Sequence, residues 1–352
     1  MTNFLLTLAI GLAFGYAFYK MKIPGGMMVG AIIGVASLNI IWGISYVPSY
    51  AKYTAQIIAG AFIGCSIDRN DIQRLKYLIK PSLVLLSSML ILNISLGFLI
   101  YMISPLDLIT SLMSCVPGGM SDIPIISADM GADAPKVAVL QFARMVAGIG
   151  LFPTLISIIG KHDNRINSDT QSDIDASSVK ITRPKGKTAA IFIQTIAVAS
   201  IFGIIGKMLK IPAGIMLFSI IGVICFKLLF NRSYMPMWAK KLAQVLSGTY
   251  IGCGIGYEDV LQLKYLIVPA ALLVLGYFAA CFIVGKLLSR YFEMSLKEAM
   301  LAATPAGASD MALISSDLGV QSTDLMVLQI IRMIIVVSLF PQIINLIVKL
   351  LA

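Results

Sequence analysis

Charged side chains are scarce in this chain of 352 residues: Asp, Glu, Lys and Arg make up 12% against 58% hydrophobic, whereas soluble domains carry about 25% charged residues. That shortage excludes a water-soluble enzyme, a soluble nucleic-acid-binding domain and a disordered chain. Histidine is nearly absent, His162 standing alone in a polar stretch. The five cysteines, Cys65, Cys115, Cys225, Cys253 and Cys281, lie inside apolar stretches with no C-x-x-C spacing and read as buried, inert thiols. One His and no Cys/His cluster leave no ligand set for a copper, iron or zinc centre, so neither a metal nor another cofactor is expected. No G-x-x-x-x-G-K-[ST] motif occurs, so ATP is not a direct source of energy. The start, MTNFLLTLAIGLAF, has no basic residue before the apolar run and no small-residue cleavage site, which reads as a retained span and not a signal peptide.

What is present is apolar sequence, with a mean hydropathy of +0.91. The composition is that of an all-α polytopic membrane protein whose first partner is the lipid bilayer. Its net charge of +10, from 27 Lys+Arg against 17 Asp+Glu, fits the basic excess of cytoplasmic loops and gives no reason to expect nucleic acid.

The sequence is one unit written twice. Ile23-Pro24 recurs as Ile211-Pro212, the triplet Ile63 to Cys65 as Ile251 to Cys253, and Leu75 to Ile79 as Leu263 to Ile267, always 188 positions on. Pro117, Ser121, Asp122, Gln141 and Arg144 keep the same register with Pro305, Ser309, Asp310, Gln329 and Arg332. A register held without a gap over most of each half indicates internal duplication. The expected organisation is membrane repeat 1 over 1–159, a polar linker over 160–187 and membrane repeat 2 over 188–352. The linker, with KHDNRINSDTQSDID, is too hydrophilic for hydrocarbon.

Each copy holds six apolar segments, in the first about Phe4–Tyr19, Gly25–Trp42, Tyr53–Ile67, Pro81–Ile103, Leu106–Met130 and Ala134–Ile159. The fifth is interrupted by Val116 to Asp122, and its counterpart by Thr304 to Asp310. If it enters and leaves by one face, 19 of the 25 Lys/Arg outside the apolar helices fall on one side; if it spans, the split is 15 to 10. The positive-inside rule favours the first. The expectation is therefore two inverted repeats, about ten transmembrane helices and two re-entrant segments, with both termini outside and the linker cytoplasmic.

At Pro117-Gly118-Gly119-Met120-Ser121-Asp122 and Pro305-Ala306-Gly307-Ala308-Ser309-Asp310, proline removes an amide donor, glycine tolerates unusual dihedrals and Ser or Asp can cap a restarting helix. Freed amides and a positive helix end would then face the membrane interior, and a twofold break of this kind points to a transporter binding site. The bland alternative is a tight hairpin tip. Arg144 and Arg332 lie about 15 Å into the following helix, sharing a face with Gln141 and Gln329. A guanidinium there needs a carboxylate or a wet cavity. Asp122 and Asp310 are the nearest acids by repeat logic, paired within a copy or crossed between copies, and such pairs either hold the hairpin or serve a solute or ion. Asp129 and its repeat mate Asp317, followed by Asp133 and Asp324 out of register, read as acids at the hairpin end, the Pro24 segment as a packing motif.

PGG-x-SD-I at Pro117 to Ile123 followed by LQFAR at Leu140 to Arg144, with the copies at Pro305 and Leu328, resembles the duplicated AbrB-type bacterial membrane family. The resemblance covers nearly the whole chain. Members carry labels such as ammonia monooxygenase or regulator of gene expression, and the family is distantly similar to cation:proton antiporters and anion transporters. It implies a multi-pass protein of the bacterial plasma (inner) membrane, and a homodimer follows only from the habit of the class. The second copy departs from the motif at Thr304 and Ala306. Oxygen chemistry has no ligand set to run on here, so no enzyme and no catalytic or metal residue is expected. The reading is a secondary transporter of a small solute by alternating access, with a preference for an organic anion and with proton or sodium coupling at Asp122 and Asp310. The expected substrate and ion residues are Gly118, Gly119, Ser121, Asp122, Gln141, Arg144, Gly307, Ser309, Asp310, Gln329 and Arg332. The alternative is a membrane-embedded sensor acting on gene expression indirectly.

Overall fold

The structure, a computed structural model, describes residues 2–23, 25–67, 69–152, 156, 188–211, 213–292, 294–305, 315 and 322–351. Every regular element among them is helical. The first half comprises α1 (Thr2–Lys20), α2 (Gly26–Trp42), α3 (Ser49–Cys65), α4 (Arg69–Ile103), α5 (Leu108–Ser114), α6 (Ile123–Asp129) and α7 (Ala134–Gly150). The second comprises α8 (Thr188–Met208), α9 (Gly214–Phe230), α10 (Met237–Cys253), α11 (Tyr257–Gln262), α12 (Ile267–Tyr291), α13 (Leu296–Ala303) and α14 (Thr323–Leu351). Shifted by 188 positions, α2 and α3 end where α9 and α10 end. α4 is a single 35-residue helix with Pro81 inside it. In the second half a 3₁₀ turn, Leu263–Leu266, divides the equivalent stretch just before Pro269. The missing proline donor is absorbed in the first case and relieved by a tighter turn in the second.

Among the described residues five helical stretches are long and apolar enough to cross a bilayer, at Asn3–Lys20, Lys76–Ile103, Ala189–Met208, Tyr257–Tyr291 and Asp324–Leu351. Large apolar side chains such as Leu5, Leu83, Ile193 and Ile201 are exposed, whereas Thr7, Gln56, Asn93, Gln141 and Thr195 are fully buried. An apolar exterior, with polar side chains buried within an apolar core, fits a helical membrane protein.

The two halves interlock. α2 packs on α10, and α3 on α9. A methyl group on Gly60 would stand 2.8 Å from the Met216 carbonyl, and one on Gly248 2.6 Å from the Met28 carbonyl, which is the same contact with the halves exchanged. Asn39 donates to the Cys253 carbonyl (3.3 Å), and its repeat mate Lys227 donates to the Cys65 carbonyl (2.6 Å). Exchange of this kind, i on j and j on i, is what a twofold relation between the halves produces.

The helices sort into two bundles. α1–α3 and α8–α10 form one, and α4–α7 with α11–α14 form the other. Among the described residues the contacts between them are fewer than those within each: α6 and α7 meet α10, α9 meets α14, α2 meets α7 and α3 meets α6. The seam includes small apolar clusters, Met28 with Ala134, Ala138 and Ile251, and Val29 with Met120 and Met145. Pro24 lies outside the described residues, but Gly25 beside it enters α2 at φ 64, and an added methyl would meet Met120 Sδ across this seam at 2.8 Å. The cysteines depart from expectation. Cys115 and Cys281 are buried, but Cys225 is exposed on α9, because an apolar exterior has room for an apolar thiol.

At the position equivalent to Gly25 stands Ala213, held at φ 55, a conformation that costs a residue with a Cβ about 1–2 kcal/mol. Ala213→Gly is expected to raise stability in detergent by up to about 1 kcal/mol. Gly25→Ala, which adds the same strain plus a clash, lowers it; thermal unfolding of the two variants reads both signs.

Candidate functional site

α5 and α6 are the two arms of the interrupted segment. Asp107 opens α5 by accepting from the Thr110 amide (3.1 Å), and the helix runs out at Ser114. A helix that stops here leaves carbonyls without intrahelical partners. They are met by side chains from α7. Gln141 Nε2 donates to the Ser114 and Val116 carbonyls, both at 3.0 Å. The Arg144 guanidinium donates to the Val116 carbonyl and, at 2.6 Å, to the Gly118 carbonyl. The Tyr277 hydroxyl, from the other half, donates to the Cys115 carbonyl at 2.5 Å, and the Tyr277 ring lies 5.6 Å from the guanidinium carbon. Asn93 adds a bond to the Leu112 carbonyl at 2.9 Å.

The second half repeats the arrangement. Gln329 donates to the Leu301 carbonyl (2.8 Å) and Arg332 to the Ala302 (3.2 Å) and Thr304 (2.5 Å) carbonyls at the end of α13. Cys281, the mate of Asn93, donates to the Met300 carbonyl at 3.0 Å. In both halves a cation sits at the negative end of a half-helix, the favourable orientation for its dipole.

This corrects the expected partner of Arg144. Among the described residues no ion pair joins Asp122 to Arg144, and the pairs present are Lys52–Asp129 and Lys136–Asp133. Arg144 is 1% exposed, with its two terminal nitrogens on backbone oxygens and its Nε buried without a partner among the described residues. The glycines are corrected too. Neither Gly118 nor Gly119 adopts positive φ. They are small because a methyl would collide with Ile123 (2.5 Å) and with the Asp122 carboxylate (2.4 Å). Asp122 precedes α6 without a side-chain cap; the turn is closed by the Gly119 carbonyl, which accepts from the Asp122 and Ile123 amides, both at 3.1 Å. Gly307, Ser309 and Asp310 lie outside the described residues, as do Asp317 and the linker.

Ser121 and Asp122 come to the seam, where α10 meets them. Gln244 Nε2 donates to Ser121 Oγ at 3.2 Å, and Lys240 lies one turn before Gln244 on α10. At the far end of α6, Lys52 Nζ stands 2.6 Å from one oxygen of Asp129 and Gln56 Nε2 2.5 Å from the other. Asp129 is thus a seam ion-pair residue, and Asp133 caps α7 by accepting from the Lys136 amide at 3.2 Å. Lys52, Gln56, Lys240, Gln244 and Tyr277 were not expected from the sequence. The signal for four of them was legible: Ala-Lys-x-x-Ala-Gln occurs at Ala51 to Gln56 and again at Ala239 to Gln244.

If Arg144 answers carbonyls, Arg144→Gln leaves buried acceptors without donors, at about 1–3 kcal/mol for each unsatisfied group. Arg144→Lys does not restore the loss, since an ammonium lacks the planar fork. Unfolding in detergent should show both variants destabilised and Asp122→Asn close to the parent.

Comparison with known proteins gives a consistent result. The family model described as "Transition state regulatory protein AbrB" matches residues 1–80 and 72–348. The chain is 26% identical over 353 residues to a Bacillus subtilis (strain 168) protein named "Uncharacterized protein YhjN", covering 95% of this chain and 90% of that one. It is 23% identical over 341 residues to an Escherichia coli (strain K12) protein named "Putative regulator AbrB", covering 95% and 93%.

Proposed function

The chain belongs to the AbrB family, and from that premise we propose that it is a secondary transporter that moves a small solute by alternating access. The observation that carries the reading is the interrupted membrane segment. Among the described residues the α5–α6 break sits in a bundle that touches its neighbour less than it touches itself, and Ser121 and Asp122 at the tip lie on the seam between the two. Interrupted helices at a repeat interface are the usual site of solute and ion binding in transporters, and a loose interface between bundles is what rocking or sliding needs.

Inverted placement of the repeats in the membrane is supported by two arguments. Exchange of contacts between halves fits a twofold relation, and the loop charges favour an odd number of crossings per copy. Lys52 and Lys240 belong to the seam and not to loops; withdrawing one from each side leaves the charge imbalance unchanged. Both termini are then outside, the linker is cytoplasmic and about ten helices span. Coupling to a proton or to sodium falls to Asp122, with Asp310 as its mate. The anion preference first attached to Arg144 and Arg332 is withdrawn from them, because their described bonds are to carbonyls.

The experiment is a seam cross-link. With the native cysteines replaced, Met28→Cys and Ala134→Cys lie on opposite bundles in one apolar cluster. Proteoliposomes carrying an imposed proton or sodium gradient should take up solute, stop when the pair is oxidised and resume on reduction. Full flux through the cross-linked protein contradicts alternating access. Labelling of a cysteine at Asp169 from the cytoplasmic side only is expected; labelling from outside contradicts the topology.

A second reading has the name of the E. coli relative in its favour: a membrane-embedded regulatory protein that acts through its linker. Removing residues Asp163 to Ser178 would then abolish an effect on gene expression and leave uptake intact.

A further inference from the structure

Two copies of one Lys–Gln pair face the seam, and among the described residues only the first grips a carboxylate through both side chains; Asp317, the repeat mate of that carboxylate, lies outside the described residues. Lys52 and Gln56 are one helical turn apart on α3 and each takes one oxygen of Asp129, at 2.6 and 2.5 Å. Their repeat mates Lys240 and Gln244 hold the same spacing on α10, at the opposite end of α6. Lys240 is half-buried with its Nζ 4.8 Å above the Phe62 ring, and among the described residues it forms no ion pair. Gln244 spends one amide proton on Ser121.

We propose that Lys240 and Gln244, with the Ser121 hydroxyl, bind the carboxylate group of a small organic anion, and that this anion is carried together with a proton on Asp122. The proposal rests on the transporter reading and names its substrate class. The protein itself supplies the template: the Lys–Gln pair at Asp129 shows which chemical group fits this spacing. An ammonium for one oxygen and an amide N–H for the other is a charge-assisted, two-point grip. A carboxylate held there lies beside Asp122, and two like charges at such range disfavour one another unless one is protonated. Asp122 must therefore bind a proton for the anion to stay. Of the charged groups on the elements packed around α6, Lys240 on α10 lies one turn from Gln244, which reaches Ser121 next to Asp122. Lys136 on α7 is paired with Asp133, Arg144 with carbonyls, and Lys52 on α3 with Asp129. Arg332 on α14 donates to the α13 carbonyls.

The test uses the purified full chain and a panel of lactate, succinate and glutarate, with succinamide as the neutral control, read by thermal shift and by uptake into proteoliposomes. At least one carboxylate should stabilise the protein saturably while succinamide does not. Above the Asp122 titration its affinity should fall by about tenfold per pH unit. Lys240→Gln should weaken it by about tenfold or more, whereas Lys52→Gln lowers stability and leaves affinity alone. Asp122→Asn should keep binding and lose the pH dependence. Binding that is unchanged in Lys240→Gln, or that matches succinamide, overturns the proposal. So does strong coupling between Lys240→Gln and Asp317→Asn in a double-mutant cycle of stability, since the pair would then be holding the protein's own acid. If the seam cross-link still blocks flux while Lys240→Gln leaves KM unchanged, the transporter reading stands and this site falls.

Discussion

A helix that ends inside a membrane protein leaves backbone carbonyls that water cannot reach, and the protein must answer them itself. Here the answer is a glutamine and an arginine one turn apart on the next helix, used twice: Gln141 and Arg144 on the end of α5, Gln329 and Arg332 on the end of α13. The guanidinium suits the task because its planar set of donors reaches two carbonyls at once while its charge opposes the negative end of the helix. Tyr277 binds the same turn from the other half, so the break in one copy is fixed by both.

That fixation has a mechanical consequence. The interrupted segments, their capping helices and the long helices α4 and α12 share one extensive buried core. The bundle of α1–α3 and α8–α10 is held together by exchanged glycine contacts and helix-to-helix backbone approach. Across the seam, among the described residues, there are small apolar clusters, an extension of the large core to Ile63, Ala213, Met216 and Ile220, and a few polar bonds at the two ends of α6. Strength within the bundles and weakness between them is the distribution from which one body slides on another. Ser121 and Asp122 at the tip of α6 belong to the first bundle, Lys240 and Gln244 to the second. Any ligand between them feels the displacement directly.

Much of the architecture was legible in the sequence because one register, broken nowhere, relates the halves, and because Pro117-Gly118-Gly119 interrupts a run that would otherwise be continuous. The depth of Arg144 and its need for compensation were legible as well. The kind of compensation was not, since a search among side chains finds carboxylates and overlooks carbonyls, which every residue carries and which matter only where a helix ends. Gly118 and Gly119 looked conformational and are steric, a distinction set by Ile123 and Asp122 folding back on the turn. Lys52 and Lys240 read as loop charges because they sit near helix starts, and only their shared spacing to Gln56 and Gln244 marked them as a pair with a common task.

The claim on which the account depends is that two internally rigid bundles move against each other. Pulsed electron–electron resonance on spin-labelled protein in nanodiscs measures this, with one label at exposed Tyr46 between α2 and α3 and the other at exposed Met102 near the end of α4. Two distance populations are expected, redistributed by an ion gradient or a bound solute, while a pair within one bundle, Met102 and Leu151, keeps a single distance. One narrow inter-bundle distance under every condition, or a split within the bundle, would contradict it.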